Sequence, residues 1–323
     1  MDKTLIIIVT YNSAGFIERC LRSVYEQQLK DFFVLVIDNN SSDDTVLKIK
    51  DFRNSCPGLD SSNFRMIPFK RNIGFSRAVN CGVFKYLAEK FKRQMHDFKY
   101  LVLINPDLYL CEDSLSSLID TFAIAGDDCG ASGGLIMEYD CDEVTHYGAA
   151  IRPNYITYHL KKHDSRDTGM QDDDNIFVSD YVTGALFACR LDIFIKLKGF
   201  DPGYRPAYFE ELDFCLKLKR IGKLSYVNPK SRARHFECGS VKKFSSSFYY
   251  YYHKNRIRCA IINSSPAGFF KGFIPQEFRW IREEASKDQY VPLLKAYLLN
   301  LFFIGLSVFV KIKNYLLIRR IVK

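Results

Sequence analysis

The chain has 323 residues, 47% of them hydrophobic, and a formal net charge of +9. This hydrophobic fraction excludes general disorder, and the length allows one large domain or two small ones. The ten cysteines include no CxxC pair, which disfavours a zinc site and favours reduced thiols in a cytosolic compartment. A strand pattern starts directly at the N-terminus, so we expect no export signal there.

The positive charge lies towards the C-terminus. Residues 242–323 contain 15 Lys/Arg and 4 Asp/Glu, a net charge of +11, whereas residues 1–241 contain 31 and 33, a net charge of −2. Because the basic segment is also rich in Phe, Leu, Ile and Tyr, we expect it to contact an anionic membrane surface and not nucleic acid. A helical appendage with a solvated basic face is the alternative.

Strand and helix patterns alternate over residues 1–110, which predicts βαβ units and a parallel sheet. The strands are predicted at 5–9, 33–37, 65–68 and 100–104, and the helices at 14–27, 43–52 and 75–91. Farther along, we predict a helix at 111–125, a strand at 130–137, loops with a small hairpin at 138–176, a strand at 177–189, a helix at 191–198, and helices from about 244 onward.

Polar residues follow each of the first four predicted strands. Asn105-Pro106-Asp107 follows the last of them, and Pro106 ends that strand because it has no N–H to donate. In an open α/β sheet, ligands bind at the carboxyl ends of the parallel strands. The sequence therefore predicts one shared site. Its candidate residues are Thr10, Tyr11, Asn12, Asp38, Asn72, Gly74, Arg77, Asn105 and Asp107.

Several of these positions have a specific chemical interpretation. Asp38 could accept hydrogen bonds from a base or a ribose, or it could cap a helix. Asn72, Gly74 and Arg77 combine a glycine turn, a helix start and a cation, which suits a phosphate; a capped helix with a surface arginine is the alternative. Asp107 could bind Mg²⁺ or Mn²⁺, which prefer oxygen ligands, although Asn-Pro-Asp is also typical turn chemistry.

A second cluster contains three acids, Glu210, Glu211 and Asp213, beside aromatic residues. Crowding and partial burial would raise one carboxyl pKa and produce a general base; an acidic helix start is the alternative. His235 follows a basic, strand-like stretch. A lone histidine is more often structural than a ligand, so it gains weight only in combination with the other motifs.

Together these motifs resemble the inverting glycosyltransferases of family 2, which have the GT-A fold. The matching motifs follow the family's order over residues 5–240. They are Val9-Thr10-Tyr11-Asn12, residues 38–43, Asn72-Ile73-Gly74-Phe75, Asn105-Pro106-Asp107, Thr183-Gly184-Ala185, Gly199-Phe200-Asp201, residues 209–213, and His235 with Gly239 and Ser240. The Asn-Pro-Asp form and the run 249–256 most resemble bacterial rhamnosyltransferases of cell-surface polysaccharide assembly.

The resemblance implies an α/β fold with a Rossmann-like, mostly parallel central sheet flanked by helices. Residues 1–240 would form the nucleotide-sugar-binding catalytic domain, and residues 241–323 a basic, apolar helical region for the acceptor or the membrane. The apolar run 296–310 is shorter than the ~20 residues that cross a bilayer. We expect an interfacial or re-entrant helix there, with a buried core helix as the alternative.

The resemblance also implies roles for the site residues. Mg²⁺ or Mn²⁺ on the donor diphosphate would be bound by Asp107 and His235. The family's usual base is an Asp directly after a Glu; here Glu211 has that place, and Glu210 and Asp213 would support it or bind the acceptor. The reaction would be one in-line displacement at the anomeric carbon. The nucleotide sugar would be bound by Thr10, Tyr11, Asn12, Asp38, Asn72, Gly74, Arg77 and Asn105.

The implied donor is a nucleoside diphosphate sugar, best matched by dTDP-rhamnose. The implied acceptor is a saccharide, carried on a lipid diphosphate, in O-antigen or capsule synthesis. The enzyme would be cytoplasmic and peripheral on the inner face of the cell membrane. A UDP-hexose or UDP-galactofuranose donor is the first alternative.

Two alternatives belong to other functional classes. One is a non-catalytic nucleotide-sugar-binding or assembly protein. The other is a nucleotidyltransferase, which would normally carry a glycine- and lysine-rich loop where this chain has Thr10-Tyr11-Asn12-Ser13. Neither GxGxxG after the first strand nor GxxxxGK[ST] occurs, so a dinucleotide-binding site and a P-loop are poorly supported.

Overall fold

The computed structural model describes residues 3–56, 58–91, 97–160, 175–236 and 244–322. The strands are β1 (Lys3–Thr10), β2 (Phe32–Asp38), β3 (Phe64–Pro68), β4 (Phe98–Ile104), β5 (Leu108–Leu110), β6 (Cys129–Glu138), β7 (Val144–His146), β8 (Ala149–Ile151), β9 (Thr157–His159), β10 (Phe177–Ser179), β11 (Leu186–Arg190) and β12 (Leu224–His235).

The helices are α1 (Ile17–Tyr25), α2 (Thr45–Ser55), α3 (Phe75–Cys81), α4 (Ala88–Phe91), α5 (Ser114–Ile124), α6 (Leu191–Lys196), α7 (Glu210–Arg220), α8 (Ser246–Asn263), α9 (Pro266–Gly268), α10 (Ile274–Glu283), α11 (Lys287–Phe302) and α12 (Ile304–Val322). Two π-helical segments, Gly82–Leu87 and Phe269–Phe273, join α3 to α4 and α9 to α10, and Gly126–Asp128 forms a short 3₁₀ turn after α5.

The central sheet has the strand order β10-β12-β6-β11-β4-β1-β2-β3, with β5 added to β12 and β7 added to β6. β1 pairs in parallel with β2 and β4, and β2 with β3. The register sets Thr10 beside Asp38. The polar residues that follow β1, β2 and β4 therefore meet at one edge of the sheet.

The second half of the sheet is mixed. β11 runs antiparallel between β4 and β6, and β12 pairs in parallel with β6 along a bulged register. The end of β12 pairs with β5, which sets His235 opposite Leu108. The predicted α/β class is confirmed, with its parallel pairing concentrated among β1 to β4.

Apolar side chains cover both faces of the sheet. Ile7, Leu35 and Leu103 belong to one buried cluster, and their strand neighbours Ile6 and Val34 belong to another. Successive side chains of a strand point to opposite faces, so a sheet covered on both faces needs continuous apolar strands. This is why the strand patterns at 5–9 and 33–37 are uninterrupted.

The C-terminal helices form a smaller core against the sheet domain. α8 begins at the cap of Ser245, whose Oγ accepts from the Phe248 N–H (3.2 Å). Arg258 on α8 pairs with Asp201 (2.6 Å) and so fastens the helix to the sheet domain. The predicted domain boundary at 240/241 falls in residues 237–243, outside the described residues, as do Gly239 and Ser240 of the family motif.

One prediction for an individual element was wrong. The predicted strand at 177–189 is two short strands, β10 and β11, separated by a loop that contributes to the cavity described below. The run 296–310 is broken at Phe303, where α11 and α12 meet at a bend of 68°. Its exposed leucines and phenylalanines exclude the buried core helix. None of the described helices could cross a membrane alone; α11 and α12 reach the necessary length and apolar composition only as this bent pair.

Candidate active site

A cavity of about 980 Å³ lies at the carboxyl ends of β1, β2 and β4. Residues from the first half of the chain, the β7–β9 region, α7, β12 and α8 line it. Nine predicted site residues lie in the lining, namely Tyr11, Asn12, Asn72, Gly74, Asn105, Asp107, Glu210, Glu211 and His235. The other four, Thr10, Asp38, Arg77 and Asp213, are outside it.

Asp38 lies beneath the cavity wall and is only 2% exposed. Its carboxylate accepts hydrogen bonds from the Thr10 hydroxyl (3.0 Å) and from the Ser41 N–H (3.0 Å). The Asn12 N–H in turn donates to the Ser41 hydroxyl (2.9 Å). The structure therefore gives Thr10 and Asp38 a part in shaping the loop that presents Tyr11 and Asn12. Their direct contact with a nucleotide stays a prediction.

A network of side-chain amides shapes the turn before α3. Asn39 donates to the Asn72 side chain (2.9 Å) and accepts from the Ile73 N–H (2.9 Å). Gly74 has φ +85°, and a Cβ there would lie 3.0 Å from the Pro206 carbonyl oxygen. Only glycine satisfies both the left-handed backbone and this close approach.

The predicted phosphate site at the start of α3 is not supported by this geometry. The N–H of Phe75 already donates to the Pro206 carbonyl (2.9 Å). Arg77 donates from Nε to the Pro202 carbonyl (3.3 Å) and does not line the cavity. The carbonyls of Pro206 and Pro202 thus accept from the Phe75 N–H and the Arg77 Nε–H, groups that the sequence predicted to bind a phosphate.

Asp107 and His235 form the second polar centre of the cavity. His235 Nε2 lies 3.1 Å from Asp107 Oδ1 and 3.3 Å from the Asn105 side-chain nitrogen. The pairing of β12 with β5 brings them together across 128 residues of sequence. Asn105 is positioned by its own N–H, which donates to the Ala185 carbonyl (3.0 Å).

This pair fits a divalent cation shared with a diphosphate. In the described part of the chain, no group of three His, Cys, Asp or Glu side chains is arranged to hold a metal. Mg²⁺ typically takes only one or two carboxylates and fills its other positions with water and phosphate oxygens. Neighbouring ligands on an octahedral ion are about 3 Å apart, close to the 3.1 Å between Asp107 and His235.

Glu210 and Glu211 begin α7 at the opposite side of the cavity. Glu210 is 2% exposed, and Glu211 packs against Gly184, where a Cβ would lie 3.6 Å from the carboxylate carbon. Burial raises the pKa of both carboxyls, and the charge of Glu211 raises the pKa of Glu210 further. Two crowded acids with raised pKa values are the arrangement from which a general base is made.

The turn before α7 holds two aromatic residues in left-handed backbone conformations. Tyr208 has φ 81° and Phe209 has φ 75°. Such values are costly for bulky side chains and occur mostly where the surrounding structure fixes them. Asn255 on α8 donates to the carbonyls of Ala207 (2.8 Å) and Tyr208 (3.1 Å), which holds this turn in place.

Asp213 differs from its two neighbours in the acidic cluster. It is fully buried, pairs with Lys217 (2.8 Å) and accepts from the Asn263 side chain (2.7 Å). Because both oxygens face buried partners on α7 and α8, the side chain is directed away from the cavity. We correct its predicted supporting or acceptor-binding role to a structural one, the attachment of α7 to α8.

Several cavity residues were missed by the sequence analysis. They are His146, His159, Tyr158 and Tyr181. The region 138–176 shows no periodic pattern, so only tertiary contacts bring its β7 and β8–β9 side chains to the cavity. The rings of His146 and His159 meet edge to face at 4.4 Å. Burial, followed by the charges of His159 and His235, lowers the pKa of His146 well below its usual value, so this side chain is neutral.

The tyrosine run at the start of α8 has a double role. The Tyr252 hydroxyl accepts a hydrogen bond from the Thr157 N–H (3.1 Å), and the Tyr252 ring lies 5.2 Å from that of Phe209. Tyr251 and Tyr252 also line the cavity. The side of the cavity formed by α8 and the β8–β9 hairpin is therefore rich in aromatic rings.

Comparison with known proteins agrees with this architecture. Residues 5–182, more than half of the chain, match the family model described as Glycosyl transferase family 2. Rhamnosyltransferase WbbL of Escherichia coli is 23% identical over 257 residues, which cover 78% of this chain and 90% of WbbL. The N-acetylglucosaminyl-diphospho-decaprenol L-rhamnosyltransferase of Mycobacterium tuberculosis is 25% identical over 266 residues, which cover 79% of this chain and 82% of that protein.

Similar solved structures are GT-A glycosyltransferases. S. aureus TarS residues 1–349 superpose with a TM-score of 0.55 at 14% identity, over 99% of this chain and 90% of that one. GalNAc-T7 with UDP, GalNAc and Mn²⁺ superposes with a TM-score of 0.63 at 16% identity, over 89% of this chain but only 57% of that one. At these identities the likeness shows the GT-A fold alone. Taken with the family model, it establishes that this chain belongs to glycosyl transferase family 2.

Proposed function

We propose that this glycosyltransferase is an inverting, metal-dependent enzyme that transfers rhamnose from dTDP-rhamnose to a lipid-linked saccharide. The observation that carries the proposal is that the Asp107–His235 pair and the Glu210–Glu211 pair line the same cavity. A cation site for the donor diphosphate and a general base for the acceptor therefore share one space. A single in-line displacement requires this proximity of donor and acceptor.

Glu211 is the proposed base. The acceptor oxygen forms a bond to the anomeric carbon as the bond from that carbon to the diphosphate breaks, and the acceptor proton moves to a Glu211 carboxylate oxygen. Burial raises the pKa of Glu211, and a base with a raised pKa takes a proton more readily near neutral pH. We assign the proton shared by the pair to Glu210, whose pKa burial and the Glu211 charge raise well above its usual value.

The leaving group is a nucleoside diphosphate. Mg²⁺ or Mn²⁺ held by Asp107 and His235 would stabilise the negative charge that develops on it. Asn105 lies beside this pair, with its side-chain nitrogen 3.3 Å from His235 Nε2. Tyr11, Asn12 and Asn72 are the cavity residues available to the nucleotide, with Asp38 holding their loop from behind.

The donor assignment is supported by the two rhamnosyltransferase relatives, at 23% and 25% identity. A UDP-hexose or UDP-galactofuranose donor is the alternative, since TarS was solved with UDP-GlcNAc. A lipid-linked acceptor is supported by the name of the mycobacterial relative, which specifies a diphospho-decaprenol. O-antigen or capsule synthesis is the corresponding process.

A peripheral position on the inner face of the cell membrane is supported by the surface of α11 and α12. Large apolar side chains there are exposed, among them Leu301 (67%), Phe302 (81%) and Phe309 (62%). Exposed apolar surface of this extent is typical of an interaction site. Residues 289–323 contain six Lys/Arg and no Asp/Glu, a charge that favours anionic lipid headgroups.

The proposal is tested first by a thermal-shift panel of dTDP, UDP, GDP and ADP, each with and without Mg²⁺ or Mn²⁺. We expect a metal-dependent shift with dTDP. A larger shift with UDP would favour the alternative donor, and no shift with any nucleotide in folded protein would contradict the donor site. Transfer assays with dTDP-rhamnose follow, with the anomeric configuration of the product measured by NMR. Retention of configuration would refute the inverting mechanism, and any turnover would dismiss a non-catalytic binding protein.

A further inference from the structure

A second concavity, of about 520 Å³, lies between the start of α8 and the length of α11. We call it the α8–α11 groove. It is lined by Ser246, Ser247, Tyr250, Tyr251, Pro292, Lys295, Leu298, Leu299 and Phe302. Tyr251 lines the catalytic cavity as well. Tyr251 therefore separates the groove from the cavity by the width of one side chain.

The lining of the groove is partly polar and partly apolar. The polar half consists of hydroxyl groups of α8 and the exposed ammonium of Lys295, and the apolar half consists of Leu298, Leu299 and Phe302. Lys295, Leu298, Leu299 and Phe302 recur at helical spacing, so they form one stripe about 10 Å long on α11. Among the described residues that line the groove, none is acidic.

We propose that the α8–α11 groove binds the lipid-proximal part of the acceptor, a diphosphate followed by an apolar chain. This inference rests on the proposed lipid-linked acceptor. The anionic group lies at Lys295 and the neighbouring hydroxyls, the first part of the chain lies along Leu298 and Phe302, and the saccharide enters the catalytic cavity past Tyr251. An anionic amphiphile matches both halves of the groove, whereas a free anion would leave the apolar half exposed to water.

A second copy of the chain is a poorer occupant of this surface. Leu298 and Phe302 are 59% and 81% exposed, so they need an apolar partner. The segment that carries them has six cations and no acid over residues 289–323. Two such faces would repel one another, while a phosphate-bearing lipid complements the charge.

The test uses farnesyl diphosphate as the probe, below its critical micelle concentration, with the full-length protein and titration calorimetry. We expect it to bind more tightly than inorganic diphosphate. Leu298→Ser and Lys295→Gln should each weaken binding by about tenfold. The matched controls lie on the same helix outside the groove: Leu294→Ser, whose side chain is also 59% exposed, and Lys287→Gln. Both controls should stay within about twofold of the wild type.

Three results would overturn the inference. Equal losses in Leu298→Ser and Leu294→Ser would indicate adsorption to the whole apolar face. Equal affinity for farnesyl diphosphate and inorganic diphosphate would indicate a simple anion site. The Ser247→Trp variant fills the groove from α8. If it still bound the probe tightly, the apolar chain of the ligand would have to bind elsewhere.

The nucleotide thermal shift, measured on the same variants, separates this inference from the proposed function. In one outcome, the wild type shows no thermal shift with any nucleotide while the Leu298 and Leu294 variants differ in farnesyl diphosphate binding. That result would contradict the proposed donor site and support the proposed lipid site in the groove. If nucleotide binding is normal in every variant and the probe does not discriminate them, the groove alone is refuted. Sedimentation with phosphatidylglycerol vesicles should affect the Leu298 and Leu294 variants equally, because both sites belong to the exposed face.

Discussion

The two sides of the catalytic cavity are built in different ways. On the side of β1, β2 and β4, short loops after parallel strands present Tyr11, Asn12 and Asp107, and hydrogen bonds between neighbouring loops fix them. On the other side, α7, the β8–β9 hairpin and α8 meet from distant parts of the chain and contribute acids and aromatic rings. Sheet topology alone can therefore assemble the first side of the cavity, whereas the second side depends on buried contacts between helices.

Those contacts include charged pairs that are almost fully removed from water. Arg256 on α8 makes a bidentate pair with Glu277 on α10, at 2.7 Å and 2.5 Å, and is 0% exposed. Arg256 also donates to the Asn154 carbonyl (2.7 Å), next to the β8–β9 hairpin. The aromatic side of the cavity therefore depends on a buried ion pair.

The largest expected effect is on catalysis at α7. Glu211→Gln removes the proposed base while keeping the shape of the side chain, so transfer should fall by about 10²–10⁴-fold. Nucleotide binding, measured by thermal shift, should be unchanged because the nucleotide side of the cavity is intact. Full activity in this variant would contradict the assignment. Glu210→Gln serves as the comparison and should lose less, since we assign Glu210 the proton of the pair.

Breaking the buried ion pair should destabilise the protein much more than breaking an exposed pair. Glu277→Gln leaves the Arg256 charge buried without its partner, which should lower the free energy of unfolding by about 3–5 kcal/mol. Chemical denaturation measures this. The control is Glu283→Gln, which breaks the exposed pairs with Arg279 and Arg282 and should leave the free energy of unfolding nearly unchanged, because solvent screens exposed ion pairs. Equal losses in the two variants would show that burial of the pair is unimportant.

Removing one proposed cation ligand should affect only the nucleotide side. With Mn²⁺ present, Asp107→Asn should weaken UDP or dTDP binding by at least about tenfold, because a neutral amide is a poorer ligand for a hard cation. Without metal, the variant and the wild type should bind equally. Glu143→Gln removes a carboxylate elsewhere in the cavity lining and should retain the metal dependence. Unchanged metal dependence in Asp107→Asn would move the cation site away from Asp107.

The smallest expected effect is a pH dependence from the helical side. Burial, then the Arg256 charge, lowers the pKa of His253 to about 3. The ordinary pKa of a histidine is 6.5. As the pH falls below this value, His253 binds a proton in the unfolded state but not in the folded state. The folded protein therefore loses stability until the pH reaches the pKa of His253 in the folded state. Between pH 7 and 5.5 this amounts to about 1 kcal/mol.

The variant that isolates this contribution is His253→Gln. The difference in unfolding free energy between the wild type and the variant should be constant above pH 7 and should shrink by about 1 kcal/mol at pH 5.5. His146, which also resists protonation, is present in both proteins and cancels in the difference. A difference independent of pH would contradict a neutral, buried His253.

Sequence reasoning was most successful where structure is local. The apolar runs at 5–9 and 100–104 are strands because covered faces demand continuous apolar side chains. Polar residues after them, such as Asn105 and Asp107, meet because parallel strands end at one edge. Arg77 was misjudged because the carbonyl of Pro202, 125 residues away, takes its hydrogen bond. His146 and Tyr181 had no periodic pattern around them that could place them at the cavity.

Hydrophobic periodicity and short motifs in a fixed order were thus enough to predict the α/β architecture, the family and the set of strand-end residues. The tertiary structure alone decided which of the three acids on α7 face the cavity. Glu210 and Glu211 face it, while Asp213 is held by Lys217 and Asn263. It also decided that the apolar run at 296–310 bends at Phe303. Asn263 lies 50 residues from Asp213 in the sequence, and no local sequence pattern predicts a contact of this kind.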